Sequence, residues 1–486
     1  MSDQSSPDIK EPSVLPISEQ IADKLKAFIN EHCQSESYQY AAFSFVVDAI
    51  DPLAYLEMHW KKDSYQYYWE KPSDEFAIAA GDELLDISTS GTNRFADAQT
   101  KVSALKKTTI EFSAVSHPYS GMTFLGGFSF FDKPANGFWS SFSPASLSVP
   151  KWLIIKDSKF NLATITVNLH SFETPDLLYH YIIKQLIKLS DTIHSDVQPG
   201  SGIHNNSKIN ASLPDISNTG YDHWISSVEQ AKKQIIQNTF DKIVLARHIS
   251  IPYNSAIAPT QIINTLRQQY SNCYNFLVHH PNENTFLGST PERLGSFRNR
   301  LFLTEALAGS MKRGRTATED SMLEKNLSSS RKNRNEHNFV IKAIEERIAP
   351  YAESINRSHQ PEIKKLSNVQ HLYTPIRIRL KPDTDILEVI EQLHPTPAVG
   401  GYPWQKAKPF ITELEDFDRG WYAGPVGWLN SKGTGEFAVA IRSGLLNENE
   451  AHFFAGCGIV ADSDPAAEWE ETNLKLKPML SALQYD

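Results

Sequence analysis

Ala455-Gly-Cys-Gly-Ile-Val-Ala-Asp-Ser-Asp-Pro465-Ala-Ala-Glu468-Trp-Glu-Glu471-Thr-Asn-Leu-Lys475 is the stretch on which the reading of this chain turns. Its first half is built of small residues, which leave the backbone open to close approach. Ser463 or Asp464 can cap a helix, and Pro465 suits its first turn. On that helix Glu468, Glu471 and Lys475 stand at i, i+3 and i+7, so they share one face. Two carboxylates and an ammonium beside accessible backbone suit a hard cation and an anionic ligand. Spacing alone also allows the commoner outcome, a solvated charged face.

The rest of the chain sets the bounds. Its 486 residues suggest two or three domains. A hydrophobic share of 40% and a charged share of 21% are ordinary for a soluble globular protein. The formal charge is −10 and there is no basic tract, which argues against nucleic-acid binding. Cys33, Cys273 and Cys457 are too scattered for a disulfide framework, so a reducing cytoplasm fits. No secretory signal or membrane-spanning apolar run is visible. Asn205 and Asn210 match the glycosylation pattern by coincidence in such a compartment.

Residues 1–17 read as a disordered tail, 18–195 as an N-terminal α+β region, 196–219 as a polar linker and 220–486 as the motif-bearing region. Helices are expected over 18–35, 96–113, 176–193 and 221–238. Strands are expected over 41–47, 65–69, 75–80, 122–131 and 242–250. No G-x-G-x-x-G follows a strand, which disfavours a doubly wound dinucleotide fold. Alternation in the strand at 242 could point Lys242, Val244 and Ala246 to one face. Taken alone, Lys242 reads as a solvent-facing lysine at a strand start. Glu292 likewise reads as a surface carboxylate paired to Arg293 or Arg298.

Further blocks lie upstream in a fixed order: Asp241-Lys-Ile-Val-Leu-Ala-Arg247, Gly288-Ser-Thr-Pro-Glu292-Arg-Leu, Thr304-Glu-Ala-Leu-Ala-Gly-Ser310 and Lys332-Asn-Arg-Asn-Glu336-His337. Then come His394-Pro-Thr-Pro-Ala398-Val-Gly-Gly401, Tyr422-Ala-Gly-Pro425 and Ala440-Ile-Arg442-Ser443. Together with the C-terminal stretch they resemble the chorismate-utilising enzymes, with isochorismate synthases of the menaquinone or siderophore type nearest. Gly126-Gly-Phe-Ser-Phe-Phe131 and Trp139 resemble the N-terminal half of isochorismate synthases, though a packed strand with glycines reads the same way. The resemblance implies an α+β fold: large antiparallel sheets stacked face to face, helices outside, and the site between them.

The resemblance also implies a chemistry. Lys242 would be the base that activates water, and Glu292 the acid that protonates the leaving hydroxyl. Glu336 and Glu471 would ligate Mg²⁺, with Glu468 acting through water; Asn333 stands where some relatives carry another glutamate. Tyr422, Arg442, Gly456 and Lys475 match positions that grip substrate carboxylates. His371 and Thr304-Glu305 match pocket positions, and a core role fits His371 as well. Ala398 and Ile441 match isochorismate synthases, where lyase-competent relatives usually carry Thr and Leu. The expected reaction is the reversible, Mg²⁺-dependent conversion of chorismate to isochorismate. The alternatives are a salicylate synthase and, less favoured, the large subunit of an anthranilate or aminodeoxychorismate synthase. A homologue that only binds ligand is the non-enzymatic alternative. No glutamine amidotransferase partner and no membrane are expected, and a monomer is slightly favoured.

Overall fold

The structure, a computed structural model, describes residues 17–32, 35–134, 136–194, 220–252, 258–281, 284–365, 369–447 and 449–483. Residues 1–16 of the expected tail, the linker at 196–219, Cys33, Asn205 and Asn210 lie outside them.

The strand Ala145–Lys156 is the junction of the architecture. One of its edges pairs along its whole length with Phe76–Thr89. From there a sheet continues through Gln66–Lys71, Tyr274–His279, Thr285–Thr290, Ser443–Leu446, Glu450–Ile459, Lys242–Pro252 and Gly401–Tyr402. The other edge of Ala145–Lys156 divides. Its C-terminal half pairs with Asn161–Asn168, which leads to Tyr40–Val47 and Thr109–Ser113. Its N-terminal half pairs with Thr123–Phe128, which leads through Pro425–Asn430, Gly435–Val439, Arg293–Arg298 and Leu301–Lys312 to Val369–Leu380. Every pairing is antiparallel except Tyr40–Val47 with Thr109–Ser113. The two long sheets stack face to face and share one apolar core, with helices packed outside.

Two elements depart from the expectation. The helix expected over 96–113 is Arg94–Lys107, and Thr109–Ser113 is a strand. The run Thr108-Thr109-Ile110 is β-branched, which favours extended backbone, and the Thr109 hydroxyl caps the Leu105 carbonyl at 2.6 Å. The strand expected over 75–80 runs on to Thr89, because its partner Ala145–Lys156 offers hydrogen bonds along that length, with a register shift between Glu83 and Leu85.

The C-terminal stretch folds as read. Asp464 accepts a hydrogen bond from Ala467 N at 2.8 Å and opens the helix Pro465–Leu483. That helix packs on the strand Glu450–Ile459 and buries Trp469, Thr472, Leu476, Met479 and Leu480.

Candidate active site

A cavity of about 120 Å³ opens between the two sheets. Lys242, Gly456 and Gly458 come from one sheet, and Leu307 to Ser310 and His371 from the other. Glu292, Ala398, Tyr422, Ile441 and Arg442 come from the segments between strands, Glu336 from the helix Arg331–Ile348, and Glu471 and Lys475 from the C-terminal helix. Every site residue singled out from the sequence lines this cavity except Glu468, Thr304 and Glu305.

Lys242 begins its strand and projects into the cavity beside Val244. Its Nζ donates to Glu336 Oε1 at 2.9 Å. The lysine is therefore not the solvent-facing residue that its place at a strand start suggests, but one half of an ion pair inside the cavity. The partner helix is anchored by Val340, Ile341, Ile344 and Ile348, which leaves the half-buried Glu336 at the cavity edge.

Glu292 is the opposite case. Its side chain is buried, and neither Arg293 nor Arg298 pairs with it. Arg293 turns instead to Glu436 at 3.0 Å and to the Tyr274 hydroxyl at 2.8 Å. The Thr396 hydroxyl donates to Glu292 Oε1 at 3.2 Å. The backbone is clamped, with Val439 N donating to Glu292 O at 3.0 Å. Burial lifts the carboxyl to a pKa of about 7, aided by nearby Glu305 and opposed by the Thr396 hydrogen bond, Arg442 and Lys364. Near neutral pH this group can carry a proton and give it away.

A cationic floor faces the acid. Arg442 holds a left-handed backbone, φ 52°, as does Ala423 at 60°. Non-glycine residues rarely adopt this region, and it costs on the order of 1 kcal/mol. Ser289 N holds the Arg442 carbonyl at 3.0 Å. The guanidinium makes no hydrogen bond or ion pair with another described residue, and burial lowers its pKa. Burial also pushes the Tyr422 phenol up to about 12, so its hydroxyl stays a neutral donor beside Gly456. Lys475 donates to the Gly456 carbonyl at 2.8 Å and pairs with Glu471 at 2.6 Å. His371 bonds Ser310 through Nδ1 at 2.8 Å. Burial, with Arg442, Lys475 and Lys364 nearby, lowers its pKa to about 3, so it is a neutral wall residue. Such a surface suits a ligand with more than one carboxylate.

Glu336 and Glu471 supply hard oxygen donors of the kind Mg²⁺ takes. No preassembled group of three His, Cys, Asp or Glu ligands exists among the described residues. Glu336 and Glu471 each pair with a lysine, and Glu468, expected to act through water, does not line the cavity. Burial raises the pKa of Glu468, and the charge of Glu471 adds to the rise. That repulsion is the kind a divalent cation relieves, so the donor set fits a metal once the lysine pairs open.

Sequence reasoning missed several supporting residues. Arg419 and Glu415 form a buried ion pair under the cavity. Arg419 donates to the carbonyls of Val244 at 2.8 Å and Val399 at 2.9 Å, and stacks 4.2 Å over the Phe130 ring. Glu415 accepts Ala246 N at 2.7 Å. Thr396 was quoted within a motif without a role. Thr304 and Glu305 line a smaller adjoining cavity rather than the main one, and Lys364 pairs with Glu305 at 2.8 Å.

With that geometry in view, the comparisons define a class. A family model described as chorismate binding enzyme matches residues 26–484, and the chain belongs to that family of enzymes. More particular relatives follow. Isochorismate synthase MenF of Bacillus subtilis is 32% identical over 449 residues, 91% of this chain and 93% of that one. The salicylate biosynthesis isochorismate synthase of Pseudomonas aeruginosa is 36% identical over 444 residues, 91% of this chain and 90% of that one. Among solved structures, the menaquinone-specific isochorismate synthase MenF of Escherichia coli superposes with a TM-score of 0.74 at 25% identity, covering 96% of this chain and all of that one. Anthranilate synthase component I of Streptococcus pneumoniae shares the fold, at a TM-score of 0.68 and 20% identity.

Proposed function

We propose that the chain is an isochorismate synthase, an isomerase that interconverts chorismate and isochorismate with Mg²⁺. The observation that carries this reading is the pairing of Lys242 and Glu292 in one cavity, with the Glu292 carboxyl held at about 7. Arg442, Tyr422 and Lys475 seat the substrate carboxylates, beside the open backbone of Gly456. Glu292 gives its proton to the C4 hydroxyl as the C4–O bond breaks and water leaves. Lys242 takes a proton from the water whose oxygen bonds C2, and the ring double bonds shift between. The reverse reaction swaps the roles. Glu336 and Glu471, with Glu468 nearby, would hold Mg²⁺, which supplies charge stabilisation to a substrate carboxylate.

No helix among the described residues is long and apolar enough to cross a membrane. A cytoplasmic enzyme that needs no glutamine amidotransferase subunit and acts as a monomer is part of the proposal. The N-terminal region, 18–195, and the catalytic region, 220–486, are proposed as its two parts. The test is the product made from chorismate and Mg²⁺ by purified protein, resolved by chromatography. An equilibrium mixture of chorismate and isochorismate is expected. Pyruvate released in step with chorismate loss would make it a salicylate synthase, and an amine product formed faster from ammonium would make water the wrong nucleophile.

A further inference from the structure

Gly456 and Gly458 stand two apart on the strand Glu450–Ile459, opposite Ala246 and Val244 of the Lys242 strand. Residues two apart on a strand face the same side, and both glycines line the cavity. What a side chain would meet differs sharply between them. A Cβ on Gly456 would lie 2.9 Å from the Leu245 carbonyl oxygen, 3.2 Å from the Ala246 Cβ and 3.3 Å from the Tyr422 hydroxyl. The three atoms nearest a Cβ on Gly458 would all belong to Lys242: Cε at 2.6 Å, Nζ at 3.1 Å and Cδ at 3.9 Å. Carbon atoms in contact rest about 3.5–4.0 Å apart. Gly458 does not hold a positive φ, so its backbone does not demand glycine. The neighbour that does is the lysine side chain.

We infer that Gly458 is a positioning residue whose bare Cα is the floor under Lys242, keeping Nζ within reach of Glu336 and of the attacking water. The inference rests on the reading of Lys242 as the base. A methyl group at 458 lifts Cε and Nζ by about an ångström, and a misplacement of that size costs roughly 10²-fold in turnover. The far end of a lysine is flexible, so it turns aside and the loss falls on kcat.

The experiment is a pair of double-mutant cycles with isochorismate formation, chorismate binding and melting as readouts. Gly458→Ala should lower kcat by about 10–100-fold while the chorismate Kd stays within about threefold. In a Lys242→Ala background the same substitution should change the residual rate by less than about twofold, because the side chain it displaces is gone. Any drop in melting temperature caused by Gly458→Ala should disappear in that background too. This arm holds even if the single variant folds poorly. Gly456→Ala is the comparator, and it should weaken chorismate binding in both backgrounds. Equal losses from Gly458→Ala with and without Lys242, in rate or in melting, would overturn the inference. Near-normal isochorismate formation by Lys242→Ala would instead overturn the base assignment itself.

Discussion

Glu292 and Glu336 line the same cavity with the same side chain and meet opposite surroundings. Glu292 sits dry between Thr396 and the strand at Val439, with no cation in direct contact, and burial holds its carboxyl near 7. Glu336 sits at the end of a half-exposed helix turn and pairs with Lys242. Glu471 resembles Glu336: burial pushes its pKa up, but the charge and hydrogen bond of Lys475, with Arg442, outweigh that and hold it low. One end of the cavity therefore stores a proton and the other stores negative charge. Identical residues acquire opposite proton affinities and partners from solvation and neighbours alone.

The largest break in that contrast is Glu292→Gln. It removes the proton and should cut isochorismate formation by about 10²–10⁴-fold. Wild-type activity in the protonation-requiring direction should fall as pH rises through about 7. Wild-type stability should fall with rising pH as well. A carboxyl raised from 4.5 to about 7 contributes stability that is full below its unfolded value and is lost as pH rises through the folded one. Glu292→Gln escapes that loss, so its stability relative to wild type should rise between pH 4.5 and 7, by on the order of 3 kcal/mol. Denaturant titrations of both proteins across that range check the sign.

Glu415 sharpens the contrast from a third direction. It is as buried as Glu292, and burial raises its pKa, but Arg419 meets it directly. Glu415→Ala should therefore destabilise, leaving a buried guanidinium uncompensated at a cost of about 3–5 kcal/mol. A loss below about 1 kcal/mol in denaturant titration would mean that Arg419 finds other relief, since exposed pairs are worth no more than that.

At the charged end, Glu471→Ala should abolish activity at ordinary Mg²⁺ concentrations without unfolding the protein, because it relieves repulsion on Glu468. Calorimetry should show chorismate and Mg²⁺ binding with positive coupling in wild type and little in the variant. Equal chorismate affinity with and without Mg²⁺, together with full activity in EDTA, would remove the metal from this end of the cavity.

The smallest expected effect is a shift of the acid itself. Lys364 neutralises Glu305 at 2.8 Å and contacts the Pro291 carbonyl at 3.3 Å. Lys364→Met leaves Glu305 without its ion-pair partner near Glu292. The alkaline limb of the pH–rate profile should move up by about 0.5–1. Glu305→Gln should move it down.

Much of the site was legible before folding because it is written in local patterns. Asp464, Pro465 and the i, i+3, i+7 spacing place Glu471 and Lys475 on one face of a capped helix. Strand alternation places Lys242 and Val244 on one face. Ala398 and Ile441 stand in blocks whose order along the chain is itself a signature. The Arg419–Glu415 pair was not legible. At four residues apart it reads as an ordinary surface pair, and its burial depends on Val244, Val399 and Phe130, which lie far off in sequence. The strand at Thr109 was missed because its pairing with Tyr40–Val47 comes from a segment some seventy residues away.

The amino-acid sequence by itself determined which residues could do chemistry: the family, the helix that carries Glu471, and the strand that carries Lys242. These follow from short-range geometry, which a chain carries with it. Only the tertiary structure decided what each residue is charged with and what it touches. Burial raised the pKa of Glu292, Lys242 turned Glu336 into an ion-pair partner, and two stacked sheets brought segments more than two hundred residues apart to one cavity. Desolvation and Coulomb energy depend on distances through space, and those exist only once the chain has folded.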